Sequence, residues 1–203
     1  KDVADLKHGA ITIVREKNRY YICFPLKRPL TNIQTPYKAV ALDPGVKTFQ
    51  TFYSEEGVCG KLGDNLRDYI KHVYTKEDKL KSKLSSTKLA KKTRYNIKKR
   101  CFLLRTKVKN IVNDFHRKSC SWLTKNFKYI FLPTFGVKNM INKKNRNIGR
   151  LTVRSMLSLS HFSFKTRLLH MAKSRGCVVN ICKEAWTSKT CGGCGNIKND
   201  LDG

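Results

Sequence analysis

The sequence predicts an α/β fold, and three observations carry that reading. Residues 40–53 run strand, turn, strand: the apolar string Val40-Ala41-Leu42 ends in Asp43-Pro44-Gly45, after which Phe49, Thr51 and Tyr53 alternate with Thr48, Gln50 and Phe52. Residues 64–128 then switch from a period of two to helical spacing. Two further apolar strands, 127–133 and 177–182, flank a second helical stretch at 151–175.

In chain order, residues 10–26 read as a hairpin in which Ile11, Ile13, Tyr21 and Cys23 alternate with polar neighbours around Lys17-Asn18-Arg19. Residues 27–37 form an irregular linker, and a third strand is expected near 58–61. Within the helical region Ile97, Cys101, Leu104, Val108, Ile111 and Phe115 recur at steps of 4, 3, 4, 3 and 4, which sets them on one side of a helix. Ser85-Ser86-Thr87 should break the region into a helical hairpin. The run from Phe127 reads as a buried strand that ends at Pro133. Residues 151–175 read as one helix with Leu151, Met156, Leu159, Phe162 or Phe164, Leu168 and Met171 on its apolar side, stopped by Gly176 in a left-handed cap. His161 and His170 lie nine residues apart and share no face, which favours a structural or phosphate-contacting role over ligation.

Charge narrows the function. There are 43 Lys and Arg against 14 Asp and Glu, a formal net charge of +29 on 203 residues. So large an excess points to a polyanion, most simply DNA or RNA. With 40% hydrophobic residues the chain can build a core, which excludes a disordered basic tail. No apolar run reaches the length of a membrane span, and Lys1-Asp2-Val3-Ala4-Asp5 lacks the form of a signal peptide, so an intracellular protein with no membrane partner is expected. Residues 64–128 hold 20 Lys and Arg but only 5 acids. The clusters Lys91, Lys92, Arg94 and Lys98, Lys99, Arg100 suit a surface that lies along phosphates, and Lys143, Lys144 and Arg146 suit a second grip in a loop. Such contacts position a backbone without reading bases.

Asp43 is the only acid between Lys17 and Ser54. A carboxylate at a rigid strand end suits a hard cation such as Mg²⁺, which takes oxygen ligands and keeps waters for a phosphate to displace. The alternative is that Asp43-Pro44-Gly45 simply makes a hairpin turn. Of the eight cysteines, only Cys191 and Cys194 form a Cys-x-x-Cys pair. Its glycines allow a knuckle that brings two thiolates to one Zn²⁺, and no βαβ pattern surrounds it to suggest a redox motif. The remaining cysteines stand singly, and a reducing compartment is the better reading than four disulfides.

The string Leu42-Asp43-Pro44-Gly45-Val46-Lys47-Thr48-Phe49 resembles the first motif of a RuvC-type RNase H domain in the TnpB/OrfB proteins of insertion sequences. The match is closer to their eukaryotic and large-virus relatives, the Fanzor proteins. Trp186-Thr187-Ser188-Lys189-Thr190-Cys191 resembles the lead-in to the zinc ribbon of TnpB/OrfB proteins. The resemblance implies an RNase H-like, RuvC-type mixed sheet at residues 37–186, with a basic helical-hairpin insertion at 64–128. Residues 1–36 would be the tail of a β-rich nucleic-acid-binding domain, and 187–203 the first half of a zinc ribbon whose second Cys-x-x-Cys lies beyond residue 203.

The same resemblance implies an RNA-guided DNA endonuclease that hydrolyses phosphodiesters with Mg²⁺ or Mn²⁺, with DNA and a guide RNA as partners. A RuvC-type second carboxylate would stand where this chain has Pro133 or a near neighbour, neither of which can bind a metal. In the Fanzor-like branch a Glu on the next strand is thought to replace it, and Glu184, just past the apolar strand 177–182, is the candidate. It can share a cation with Asp43 if their strands are neighbours; otherwise it is a surface Glu answering Lys183 or Lys189. The family's third acid would follow the second cysteine pair, and Asp200 and Asp202 do not take its place. The 203 residues alone are therefore expected to bind nucleic acid and to cut poorly or not at all. Two alternatives stand: a non-catalytic nucleic-acid-binding protein with a Cys-rich end, and a decayed mobile-element remnant. A nuclear or viral-factory location follows only from the basic clusters.

Overall fold

The computed structural model describes residues 10–16, 19–25, 33–85, 89–143, 147–183, 190–191 and 194–197. The first hairpin forms β1 (Thr12–Glu16) and β2 (Arg19–Cys23), an antiparallel pair whose residues are all exposed. A mixed five-stranded sheet follows. Its strands are β3 (Tyr37–Pro44), β4 (Gln50–Tyr53), β5 (Cys59–Leu62), β6 (Phe127–Pro133) and β7 (Val178–Cys182), in the spatial order β5-β4-β3-β6-β7. β3 is central, antiparallel to β4 and parallel to β6, and β6 is parallel to β7. The short β3–β4 connection allows antiparallel pairing, whereas the parallel partners need helical crossovers.

Between β5 and β6 the chain forms α1 (Leu66–Leu84) and α2 (Lys91–Asn126). Gly63 lies against Phe115 and Glu77 against Arg105, so the two helices run antiparallel. The expected break falls between them. The 36 residues of α2 span roughly 54 Å at 1.5 Å per residue. Its buried residues are Cys101, Val108, Val112, His116, Ser119, Cys120, Leu123 and Thr124. Beyond Val108 the stripe therefore turns away from Ile111 and Phe115, which are only half-buried, and takes in a histidine that apolar counting passes over.

After β6 come α3 (Val137–Met140), α4 (Arg150–Leu159) and α5 (His161–Arg175). The single helix expected over 151–175 is two. Ser160 takes a left-handed conformation (φ 50°), ends α4 and starts α5. That turn lets Met156, Leu159, Phe164 and Leu168 all reach the core while Leu151 and Phe162 stay exposed. Gly176 closes α5 with φ 72°, as expected of a left-handed glycine cap. The core is one cluster in which Val40, Leu42, Ile130 and Leu132 of the sheet pack against α2 and α5 residues such as Leu123, Phe164 and Leu168. The same strands leave Ala41, Asp43, Tyr53, Tyr129 and Phe131 exposed on the opposite face.

Candidate functional site

Asp43 sits on the exposed face of β3, between the buried Leu42 and Pro44. The turn after it is held from three directions. Gly45 N–H donates to the Phe49 carbonyl at 3.2 Å, and a Cβ on Gly45 would meet the Thr48 carbonyl oxygen at 2.6 Å, so only glycine fits. Thr48 Oγ1 donates to Asp64 Oδ1 at 2.6 Å, tying the turn to the entry of α1. Phe49, 1% exposed, stacks on His161 at 4.5 Å and meets Phe115, His116 and Phe164 at 5.1–5.2 Å. The strand end that presents Asp43 is therefore both a hairpin turn and a rigid mount. Among the described residues no hydrogen bond or ion pair engages the Asp43 carboxylate.

The two histidines behind the turn are uncharged at neutral pH. Burial pushes His116 down to about 4, against the hydrogen bond its Nε2 makes to the Leu159 carbonyl at 3.0 Å, with Arg167 adding a further push. Burial likewise pushes His161 down to about 4, helped by His116 and opposed by the Gly45 backbone. Among the described residues neither ring nitrogen of His161 makes a hydrogen bond of good geometry. His161 thus belongs to the core.

The strand order bears on the proposed carboxylate pair. β3 and β7 are not neighbours, because β6 lies between them. Two strand spacings of about 4.8 Å put their backbones roughly 10 Å apart. Pro133 pairs with Cys182, and continuing the Ala41–Phe131 register by two residues brings Asp43 level with Pro133. The condition that the strands of Asp43 and Glu184 be neighbours is not met. Glu184 itself lies outside the described residues, two positions past the end of β7. Pro133, at the end of the intervening strand β6, supplies no side-chain oxygen.

The structure also reveals a carboxylate that sequence reasoning passed over. Glu77 on α1 is 1% exposed and accepts from Lys81 at 2.8 Å, Arg105 of α2 at 2.5 Å and Arg154 of α4 at 3.1 Å. Burial works against its charge, but the hydrogen bonds from Lys81 and Arg105 outweigh it and hold the carboxyl below its ordinary range. Arg154 also donates to Asp78 at 2.6 Å and lies 3.8 Å over the Tyr74 ring. The only available signal was Glu77-Asp78 as an acidic pair inside a basic helix. Its partners, 28 and 77 residues away, are invisible to local spacing.

On α2, Lys91, Lys92, Lys98, Lys99 and Arg100 are exposed and Arg94 is half-buried. The first turn carries no acid, so its cations crowd the positive end of the helix dipole. An approaching phosphate relieves both repulsions. Lys143 is exposed, while Lys144 and Arg146 lie outside the described residues. Asp114 pairs with Lys118 at 2.8 Å on the surface. Cys191 and Cys194 are exposed and in no disulfide; Gly195 N–H donates to the Cys191 carbonyl and Cys191 N–H to the Asn196 carbonyl, each at 2.9 Å. Among the described residues no three metal-binding side chains cluster, and no helix is long and apolar enough to cross a membrane.

Comparison with known proteins adds family and fold. The family model OrfB_IS605, described as "Probable transposase", matches residues 21–144. TnpB-like protein L79 of Acanthamoeba polyphaga mimivirus is 28% identical over 189 residues, covering 91% of this chain and 36% of the relative. A625R of Paramecium bursaria Chlorella virus 1 is 29% identical over 170 residues, covering 82% of this chain and 38% of the relative. The chain thus spans under two fifths of the length of these relatives. Among solved structures, a chain of a Cas12f1–sgRNA–target DNA complex superposes with a TM-score of 0.50 at 15% identity, covering 83% of this chain and 41% of that one. That similarity is one of fold.

Proposed function

This chain belongs to the OrfB_IS605 family of probable transposases, and we propose that it carries the nucleic-acid-binding and first metal-ligand portion of a metal-dependent DNA endonuclease. The single observation behind this reading is Asp43: an exposed carboxylate with no partner among the described residues, on the central strand of a mixed sheet, in a chain of net charge +29. The RNase H-like, RuvC-type reading of the sheet is supported by that position and by the fold likeness to Cas12f1. The Cas12f1 chain is described with sgRNA and target DNA, which supports DNA as substrate and a guide RNA as partner here.

An Mg²⁺ or Mn²⁺ ion held at Asp43 would activate water and stabilise the leaving oxygen of a phosphodiester. Asp43 fits such an ion by donor type, since it offers oxygen from a rigid backbone without a competing cation. Glu184, which lies outside the described residues, is proposed as a further ligand. The exposed cations of α2 hold the strand by its phosphates, and Cys191 and Cys194 supply two thiolates of a Zn²⁺ site. With no three-residue metal cluster among the described residues, these residues alone hold nucleic acid better than they cut it. The purified chain should bind single-stranded DNA and show little Mg²⁺- or Mn²⁺-dependent cleavage, and Asp43→Ala should weaken Mn²⁺ binding. Robust cleavage lost in Asp43→Ala would overturn the weak-activity reading. The second reading is a non-catalytic binding protein; Mn²⁺ affinity unchanged in both Asp43→Ala and Glu184→Ala would select it.

A further inference from the structure

The register of the sheet sets five side chains level with one another on the face that carries Asp43. Antiparallel pairing puts Asp43 opposite Thr51, and Thr51 opposite Lys61. On the other side, Pro133 continues the β3–β6 register and pairs with Cys182. Residues directly opposite one another share a face of the sheet. From β5 to β7 the row therefore reads Lys61, Thr51, Asp43, Pro133, Cys182. Its two halves differ in chemistry. Toward β5 stand a hydroxyl and an ammonium, both able to donate to phosphate; toward β7 stand a proline ring and a thiol.

Thr51 and Lys61 are both exposed. Among the described residues no hydrogen bond engages the Thr51 hydroxyl. Lys61 meets Asp64 at 4.0 Å, with the two side chains 61% and 49% exposed, an ion pair too long and too wet to hold the ammonium in place. Asp64 already accepts from the Thr48 hydroxyl. At about 4.8 Å per strand, Thr51 is the immediate neighbour of Asp43, and Lys61 stands roughly 10 Å away on a longer stem. Alone, the Asp43 charge repels a phosphate from this row. A divalent ion on Asp43 reverses the sign, and the hydroxyl and ammonium then lie on one flank of the phosphate it attracts.

We propose that Thr51 and Lys61 are positioning residues for the phosphodiester at Asp43. The Thr51 hydroxyl donates to the phosphate that stands there, and the Lys61 ammonium grips the same strand where it leaves over β5. The strand thus crosses β4 and β5, and not β6 and β7. The inference rests on the reading of Asp43 as a metal ligand and adds the side from which the substrate is held.

The test measures single-stranded DNA affinity of the full 203-residue chain by fluorescence anisotropy, with Mn²⁺ and with EDTA at matched ionic strength. Mn²⁺ should tighten wild-type binding, and Asp43→Ala should abolish the gain. Lys61→Ala and Thr51→Val should each weaken binding about fivefold with Mn²⁺, the scale of one hydrogen bond to a charged group, and less than about twofold in EDTA. Lys61→Arg and Thr51→Ser keep the donors and should keep the affinity. Cys182→Ser, on the other half of the row, should change neither value, and all five variants should melt as the wild type does. Equal losses with Mn²⁺ and EDTA would make Lys61 and Thr51 general strand contacts and overturn their positioning role. So would a Mn²⁺ gain that Asp43→Ala removes but Lys61→Ala and Thr51→Val leave intact, or a loss in Cys182→Ser as large as theirs. No Mn²⁺ gain in the wild type, or one that survives Asp43→Ala, overturns the metal reading of Asp43 and the proposal with it.

Discussion

Glu77 and Asp43 are both carboxylates in a strongly basic chain, and they have opposite fates. Glu77 is buried and bonded to three cations from α1, α2 and α4. Asp43 is exposed on the central strand and bonded to none of the described residues. The difference is one of mounting. Three helices converge on Glu77, so its charge is consumed in joining them. The β3–β4 turn is instead braced by the Phe49 ring cluster and by the Thr48 hydroxyl donating to Asp64, so no described cation is drawn onto the carboxylate it presents. A negative charge surrounded by 43 cations remains available only where the fold keeps those cations at a distance.

Breaking the aromatic brace should have the largest effect. Phe49→Ala removes a fully buried ring and should cost about 4 kcal/mol in urea denaturation. Glu77→Ala leaves Arg105, Arg154 and Lys81 facing one another and should cost about 3 kcal/mol, the low end for a buried pair because the cations are partly exposed. Asp43→Asn should change stability by less than about 0.5 kcal/mol in the same assay. Equal costs for Glu77→Ala and Asp43→Asn would erase the contrast.

Acid sharpens it further. The folded chain holds His116 and His161 near 4, below their ordinary 6.5, so unfolding takes up protons between those values. Their contribution is complete above pH 6.5 and is lost as pH falls toward 4. The loss should be on the order of 3 kcal/mol per histidine, and His116→Leu should remove its share of the slope. The Glu77 contribution, with a depressed carboxyl, disappears only below its ordinary value of 4.5, which separates the two regions by pH. The smallest change concerns binding. Replacing Lys98, Lys99 and Arg100 together by Ala should flatten the salt dependence of single-strand affinity by about 2 in log–log slope, at about 0.7 per phosphate contact. An unchanged slope would mean that this face does not touch the strand.

Local pattern carried much of this. The Asp43 strand and turn, the first hairpin, the break between α1 and α2, the strand at 127–133 and the Gly176 cap all follow from periodicity and turn chemistry within a few residues. The failures share a cause. Nothing local to residues 151–175 announces the Ser160 turn, which exists because Leu159, His161 and Phe164 must reach one core around Phe49. Nothing local reveals that β6 would insert between β3 and β7, since strand order depends on which crossover packs first on which edge.

By itself the sequence determined the α/β class, the isolated Asp43 at a strand end, the basic helices and the paired cysteines. Each is a property of neighbours in the chain, where side-chain spacing and net charge act directly. Only the tertiary structure decided that Glu77 is a staple, that two histidines are core residues, and that Asp43 and Cys182 flank Pro133. Those depend on contacts between residues far apart in sequence, which the folded packing alone brings within hydrogen-bond reach.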